Sequence, residues 1–279
     1  MGDSLYMDWF PYWLSDLALE HDAMIVSANY RLLPQATSLE INEDVADFWT
    51  WLRSPKLEDT LLAHERETEL DLARLLVTGE SAGGLLSINS ALGLAYPDSA
   101  GVHAAIALYP SVDMKSPDFT LPRSIPPFGQ DFDESVIDEI LSTAPEGPIS
   151  STGGDYLPLM LAAIEYGHLG EWYARGSNET KHSEFLYPLD QLNKYPEAVS
   201  IPVGGITIIQ GQNDTVVPPG HSVPFVEKMR KVVEEQGGDS EKIQFITKEG
   251  EHGFDGDLRY AQEEWLRDAL KPVVKAWLK

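Results

Sequence analysis

The chain contains no cysteine, which excludes disulfides, thiolate metal sites and a cysteine nucleophile. Basic residues are scarce too: 20 Lys and Arg stand against 45 Asp and Glu, a formal net charge of -25. That balance argues against nucleic acid or an anionic membrane surface as a partner, and its plainest consequence is solubility. No uninterrupted apolar run approaches the ~18 residues that would suggest a membrane span. The first residues also lack the basic and apolar regions of a signal peptide, so a soluble cytoplasmic protein is the default expectation. His-Glu-x-x-His, Gly-x-Gly-x-x-Gly and Gly-x-x-x-x-Gly-Lys are all missing, which removes the zinc-hydrolase and nucleotide-binding signatures. No cofactor or metal is expected. Nor does an internal repeat or low-complexity tract divide the 279 residues, and one domain with an insertion is favoured.

Apolar periodicity organises what is present. Residues 24–28 and 72–78 are apolar runs of strand length, and 43–52 has helical spacing through Val45, Phe48, Trp49 and Leu52. A helix follows from 82 to about 96, where Pro97 stops it, then a strand over 103–109. Strands over 205–210 and 242–248 flank a helix over 222–235. A last amphipathic helix carries Leu258, Ala261, Trp265, Leu266 and Ala269, with Pro272 bending or restarting it before Trp277. Strands alternating with helices predict an α/β fold, a mostly parallel sheet covered on both faces.

That rhythm breaks over 115–199, where Pro117, Pro122, Pro126, Pro127, Pro145, Gly147, Gly153 and Gly154 gather and no apolar strand occurs. Helical pieces are expected around 134–141 and 157–166, followed by Trp172, Tyr173, Phe185 and Tyr187. The predicted organisation is a core of 1–114 and 200–279 with a cap insertion of 115–199 over the sheet edge, where ligands bind in parallel α/β folds. The Glu-rich run 61–71 reads as a solvated loop or helix face.

The chemistry is signalled by Leu75-Leu76-Val77-Thr78-Gly79-Glu80-Ser81-Ala82-Gly83-Gly84, an apolar strand that ends in Gly-x-Ser-x-Gly and opens into a helical segment. This is the pattern of a nucleophile elbow, which holds a serine hydroxyl clear of the backbone on a sharp turn. Gly79 and Gly83 are expected to leave room where side chains would collide. The Ala82 N–H, at the positive end of the following helix, is a candidate oxyanion donor.

A serine is a weak nucleophile at neutral pH, so a histidine must take its proton and a carboxylate must orient that histidine. Asp214 follows the apolar strand 206–209, and His252 follows the strand 243–247, in the order Ser81, Asp214, His252. Among the seven histidines, His103 opens a strand, His21 sits at a helix end, and His64, His168 and His182 lie in polar segments. His221 is the closest rival to His252, yet it falls where a helix should begin. Asp255 and Asp257 are the alternatives to Asp214, but they are too near His252 in sequence to approach it from the far side.

These residues carry a resemblance. Asn29-Tyr30-Arg31-Leu32-Leu33-Pro34, Glu43-Asp44, Gly79-Glu80-Ser81-Ala82-Gly83-Gly84, Asn213-Asp214 and Glu251-His252-Gly253-Phe254 resemble the hormone-sensitive-lipase-like (fold-3) branch of the α/β-hydrolases. The resemblance implies a carboxylesterase or related serine hydrolase with a cap over a Ser-His-Asp triad. Gly2-Asp3-Ser4-Leu5 spells the signature of another serine-esterase family, but its companion Asp-x-x-His is absent, so Ser4 is set aside.

Members of the resembled branch carry a His-Gly-Gly-Gly segment before a step like Gly2-Asp3, and its N–H groups complete the oxyanion hole. Here that segment and the first three strands of the fold are expected to be missing, the third being the one between the counterparts of 24–28 and 72–78, so those two strands must close together or stay poorly ordered. Loss of one oxyanion donor lowers turnover by about 10²–10³. Three explanations compete: truncation of a longer enzyme, a short protein with a substitute donor from residues 1–5, and a relative that has lost activity. Truncation is favoured, with Gly2 and Asp3 near the oxyanion site. The expected function is hydrolysis of a carboxylic ester, lactone or thioester through an acyl-enzyme, with the cap aromatics suggesting an apolar acyl or aromatic substrate of modest size. The alternative is a catalytically weak protein that holds a hydrophobic small molecule.

Overall fold

Four apolar runs, Leu75–Glu80 (β1), Val102–Leu108 (β2), Ile206–Gly211 (β3) and Ile243–Lys248 (β4), pair in the computed structural model as one parallel sheet ordered β1-β2-β3-β4. The structure describes residues 2–4, 6–63, 70–177 and 183–279; His64, His182, Leu5 and the 64–69 part of the Glu-rich run lie outside them. Glu80 stands opposite Leu108, Leu108 opposite Ile209, and Ile209 opposite Ile246. The carboxyl ends of all four strands therefore gather at one edge, which is where the loops carrying Ser81, Asp214 and His252 emerge.

Strand side chains alternate between faces, and two helical layers cover them. Ala105, Ala107, Ile206 and Ile208 pack with Ile88 and Leu92 of Ala82–Leu92 (α4) and with Phe225 and Met229 of Ser222–Glu235 (α10). Ala104, Ile106, Leu108 and Ile209 pack with Trp13 and Leu17 of Tyr12–Glu20 (α1) and with Leu266, Leu270 and Val273 of Glu264–Trp277 (α11). Each large side chain fully buried this way contributes about 1.5–3 kcal/mol.

The run 24–28 forms no strand, and among the described residues β1 pairs only with β2. A strand is a pairing rather than a local conformation, and neither closes on the other; Ile25 stays 43% exposed. All of β1 is consequently half-buried rather than covered on both faces. The segment before it is instead tied to Ser38–Leu52 (α2): Arg31 Nε donates to both Asp44 carboxylate oxygens at 3.0 and 2.9 Å, and Arg31 Nη1 reaches Glu40 Oε1 at 3.2 Å. The helix expected over 43–52 starts earlier because Thr37 and Glu40 form a capping box, in which the Glu40 N–H donates to Thr37 Oγ1 and the Thr37 N–H to Glu40 Oε2.

Pro55–Ala63 (α3) follows α2, and two other boundaries shift. The elbow helix stops at Leu92, where Gly93 takes φ 74° and returns its N–H to Asn89, before the stop expected at Pro97. Conversely, α11 begins only at Glu264 and runs through Pro272 to Trp277 without restarting.

Between 115 and 199 the described residues form the helices Pro117–Thr120 (α5), Ser135–Thr143 (α6), Leu157–Glu165 (α7), His168–Ala174 (α8) and Pro188–Lys194 (α9), and no strand. Phe119, Ile164, Tyr173, Leu186 and Tyr187 build a core shared with Leu85 of α4 and with Val216 and Val217 beyond β3. Tyr173 and Tyr187 pack edge to face at 5.5 Å, and Tyr173 donates to Leu186 O at 2.7 Å. Trp172 packs against Ile137 and Leu159. These aromatic residues are core, so they carry no argument for an aromatic substrate. No helix among the described residues is long and apolar enough to cross a membrane.

Thr37→Ala removes the α2 cap and is expected to destabilise the protein by about 1 kcal/mol in urea denaturation, with Thr37→Ser close to wild type. An unchanged midpoint in Thr37→Ala would contradict the role given to the capping box.

Candidate active site

Glu80 ends β1 and Ala82 begins α4, so Ser81 alone makes the turn, at φ 52° and ψ −114°, a conformation that costs an L-residue free energy. Three backbone bonds hold it: the Ser81 N–H to Leu108 O at 2.9 Å, the Ser111 N–H to Ser81 O at 3.1 Å and the Leu85 N–H to Ser81 O at 3.2 Å. A Cβ on Gly79 would lie 2.3 Å from Gly83 O, so glycine is required there. At Gly83 a Cβ would meet nothing within 4 Å, contrary to expectation; the tight approach is at Gly84, 2.8 Å from Pro110 Cβ. Ala82 is exposed in the first turn of α4, where N–H groups have no intrahelical partner.

Beyond β3 the chain places Asp214 with its side chain at 0% exposure. Four donors fill the carboxylate: the N–H groups of Val216 and Val217 reach Oδ1 at 2.9 and 2.7 Å, and Gln210 Nε2 and His252 Nδ1 reach Oδ2 at 2.9 and 2.8 Å. A carboxylate can only accept, so His252 Nδ1 carries the proton and Nε2 presents its lone pair. The loops bearing these two residues are joined by the Gln212 N–H to Lys248 O at 2.7 Å and the Asn213 N–H to Gly250 O at 3.0 Å. Gly211 permits this, since a Cβ there would lie 2.5 Å from Gly250 O.

Tyr109, the first residue past β2, packs its ring 4.4 Å from the His252 imidazole. Behind it sits Asp255, whose Oδ2 accepts from Trp13 Nε1 at 2.8 Å and whose charge adds to burial in raising the Tyr109 hydroxyl. Asp255 thus lies behind Tyr109 and is not an alternative acid for His252; Asp257 is exposed. Burial, reinforced by the neighbouring Asp255 charge, pushes the Glu80 carboxyl up to about 8. Burial likewise raises Asp255, with the Trp13 hydrogen bond opposing the shift.

The structure therefore brings Asp214 and His252 together and sets Ser81 at the same sheet edge. Among the described residues no hydrogen bond joins Ser81 Oγ to His252, a contact that in unliganded enzymes often tightens only when substrate binds. The rival His221 is engaged elsewhere, with Nε2 2.7 Å from Asp118 Oδ2 and 3.0 Å from Ser116 Oγ. His103 bonds Gly101 O, His168 bonds Glu134, and His21 packs on the edge of Trp277. The Gly2 N–H donates to Thr152 Oγ1 at 3.2 Å and the Asp3 carboxylate accepts from Ser151 Oγ at 2.5 Å, so both lie against the insertion and the Gly2 N–H is already engaged. Ser4 donates its N–H to Asn29 Oδ1 at 2.7 Å. No group of three or more His, Asp or Glu among the described residues is placed to hold a metal ion.

Residues 6–130 match the family model described as alpha/beta hydrolase fold. Over 288 aligned residues the chain is 30% identical to the probable carboxylesterase M8 of Phoma sp., covering 99% of this chain and 82% of that protein. The chain belongs to the α/β-hydrolase carboxylesterases. Among solved structures, a Staphylococcus aureus protein described as of unknown function superposes with a TM-score of 0.59 at 18% identity, covering 100% of this chain and 86% of the other. Carboxyl esterase 2 of Tuber melanosporum superposes at 0.53 with 16% identity, covering 97% and 75%. These likenesses support the fold, and the relative's name favours a hydrolase over a ligand-holding protein.

In this carboxylesterase-like hydrolase several residues around the site escaped the sequence reading. Gln210 was visible only as a polar residue ending an apolar strand. Glu251 lies inside the quoted motif, but Thr215, whose N–H it accepts at 2.9 Å, is remote from it in sequence, as Tyr109 is from His252.

Glu80 provides a pH test. Its carboxyl titrates near 4.5 when the chain is unfolded and near 8 when folded, so between these values the folded state binds more protons. Its contribution is fully present below about 4.5 and is lost as pH rises through about 8. Glu80→Gln is expected to flatten the fall in Tm between pH 5 and pH 8.5 in thermal melts. An unchanged difference from wild type at both values would contradict the assignment.

Proposed function

We propose that this hydrolase cleaves carboxylic esters of small molecules, with lactones and thioesters as chemical relatives, through an acyl-enzyme on Ser81. The observation that carries the reading is the hydrogen bond of His252 to the fully buried Asp214 carboxylate, at the sheet edge where Ser81 sits on its elbow. Ser81 Oγ attacks the carbonyl carbon while His252 Nε2 takes its proton, and the carbonyl π electrons move onto oxygen. The Ala82 N–H and the positive end of α4 stabilise that oxyanion. Collapse expels the alcohol, which receives the proton from His252. Water then attacks the acyl-enzyme, gives its proton to His252, and the carboxylic acid leaves as Ser81 regains the proton. Asp214 holds the imidazole in the required tautomer throughout.

Residues 115–199 act as the cap in this account. Their helices share a core with Leu85, Val216 and Val217, which lie beside the elbow and the acid loop. No step needs a cofactor. Labelling with a fluorophosphonate probe tests the proposal: the wild type is expected to label at Ser81, and Ser81→Ala to lose both labelling and hydrolysis of short-chain esters by at least about 10³-fold. Labelling or hydrolysis that persists in Ser81→Ala would overturn it.

A further inference from the structure

Phe128 is a large apolar residue left 37% exposed, and the reaction as derived makes no use of it. Its ring stands edge-on to the His252 imidazole at 6.4 Å, with an interplanar angle of 71°. Its backbone is left-handed, φ 56°, at the corner Pro126-Pro127-Phe128-Gly129 of the insertion. A non-glycine residue holds such a conformation only where its surroundings impose it.

What imposes it is a relay that ends on the catalytic loops. The Phe128 N–H donates to Thr215 Oγ1 at 2.8 Å, and that hydroxyl donates to Glu251 Oε1. Glu251 Oε2 accepts from the Thr215 N–H at 2.9 Å and from the His252 N–H at 2.8 Å. One carboxylate thereby spans the acid loop, the histidine loop and, through one hydroxyl, the cap corner. Arg123 fixes the same turn from the cap side, donating to Thr215 O at 2.6 Å and Val216 O at 3.1 Å.

We propose that Phe128 forms one wall of a leaving-group subsite beside His252, and that Thr215 and Glu251 are the positioning residues that hold it there. The inference rests on the acyl-enzyme reading above, because it follows from what His252 does. The imidazole delivers its proton to the departing alcohol oxygen, so an apolar ring at the imidazole's edge lies alongside the alcohol part of the ester. Aromatic rings prefer edge-to-face or offset contact, and esters of flat aromatic alcohols are the substrates this wall favours.

The test compares benzyl acetate with ethyl acetate, which share an acyl group and have leaving groups of similar basicity. The wild type is expected to favour the benzyl ester in kcat/KM. Phe128→Ala should lower the benzyl-to-ethyl ratio by about tenfold, mainly through KM for the benzyl ester. Thr215→Val, which keeps the shape and loses the hydroxyl, should lower the ratio in the same direction, and Thr215→Ser should restore it. Equal losses on both esters in Phe128→Ala, or identical ratios in Thr215→Val and Thr215→Ser, overturn the subsite. Hydrolysis of neither ester by a wild-type protein that also fails to label at Ser81 overturns the underlying reading, and the subsite with it.

Discussion

A carboxylate with no solvent-exposed surface is tolerated only where its neighbours fill its lone pairs, and the site of this hydrolase is arranged around one such group. Two N–H groups of its own turn, an amide from the strand before it and an imidazole from the next loop converge on Asp214. To supply them, β3 must end in a buried glutamine and the turn after it must close tightly. The loop after β4 must also pass close enough that only glycine fits at 211. The orientation of His252 follows from that convergence.

The surroundings reinforce the arrangement from two sides. On one side, Arg123 and the Thr215–Glu251 pair couple residues 115–199 to the loops bearing Asp214 and His252. Toward the sheet, Tyr109 lies against the imidazole, and Asp255 behind it is held by Trp13 of α1 from the opposite face of the sheet to α4 and α10. Two acids, the half-buried Glu80 and the buried Asp255, stand near each other behind the serine and the histidine, and desolvation raises both.

Much of this was legible in the sequence where the determinant is local. The helix Ser222–Glu235 was readable to the residue because an amphipathic period ran between clear boundaries, and three strands were placed within a residue or two by their apolar runs. Asp214 and His252 were legible because each follows such a strand. Reading failed where the determinant is a partner elsewhere in the chain. Residues 24–28 have strand composition but no ladder to join. Gly84 rather than Gly83 is the cramped position because Pro110 packs against it. The start of α2 is the exception, since the Thr37-x-x-Glu40 cap was present to be read. Phe128 could not have been singled out at all, because only folding brings it to Thr215 and His252.

The central claim is that Asp214 fixes His252 with its proton on Nδ1 and its lone pair on Nε2. Imidazole nitrogen NMR on selectively labelled protein, at a pH where the ring is neutral, measures this directly. A protonated Nδ1 with a downfield-shifted proton and an unprotonated Nε2 are expected in the wild type, with that pattern lost in Asp214→Asn. A wild-type His252 carrying its proton on Nε2, or one whose tautomer is indifferent to Asp214, would contradict it.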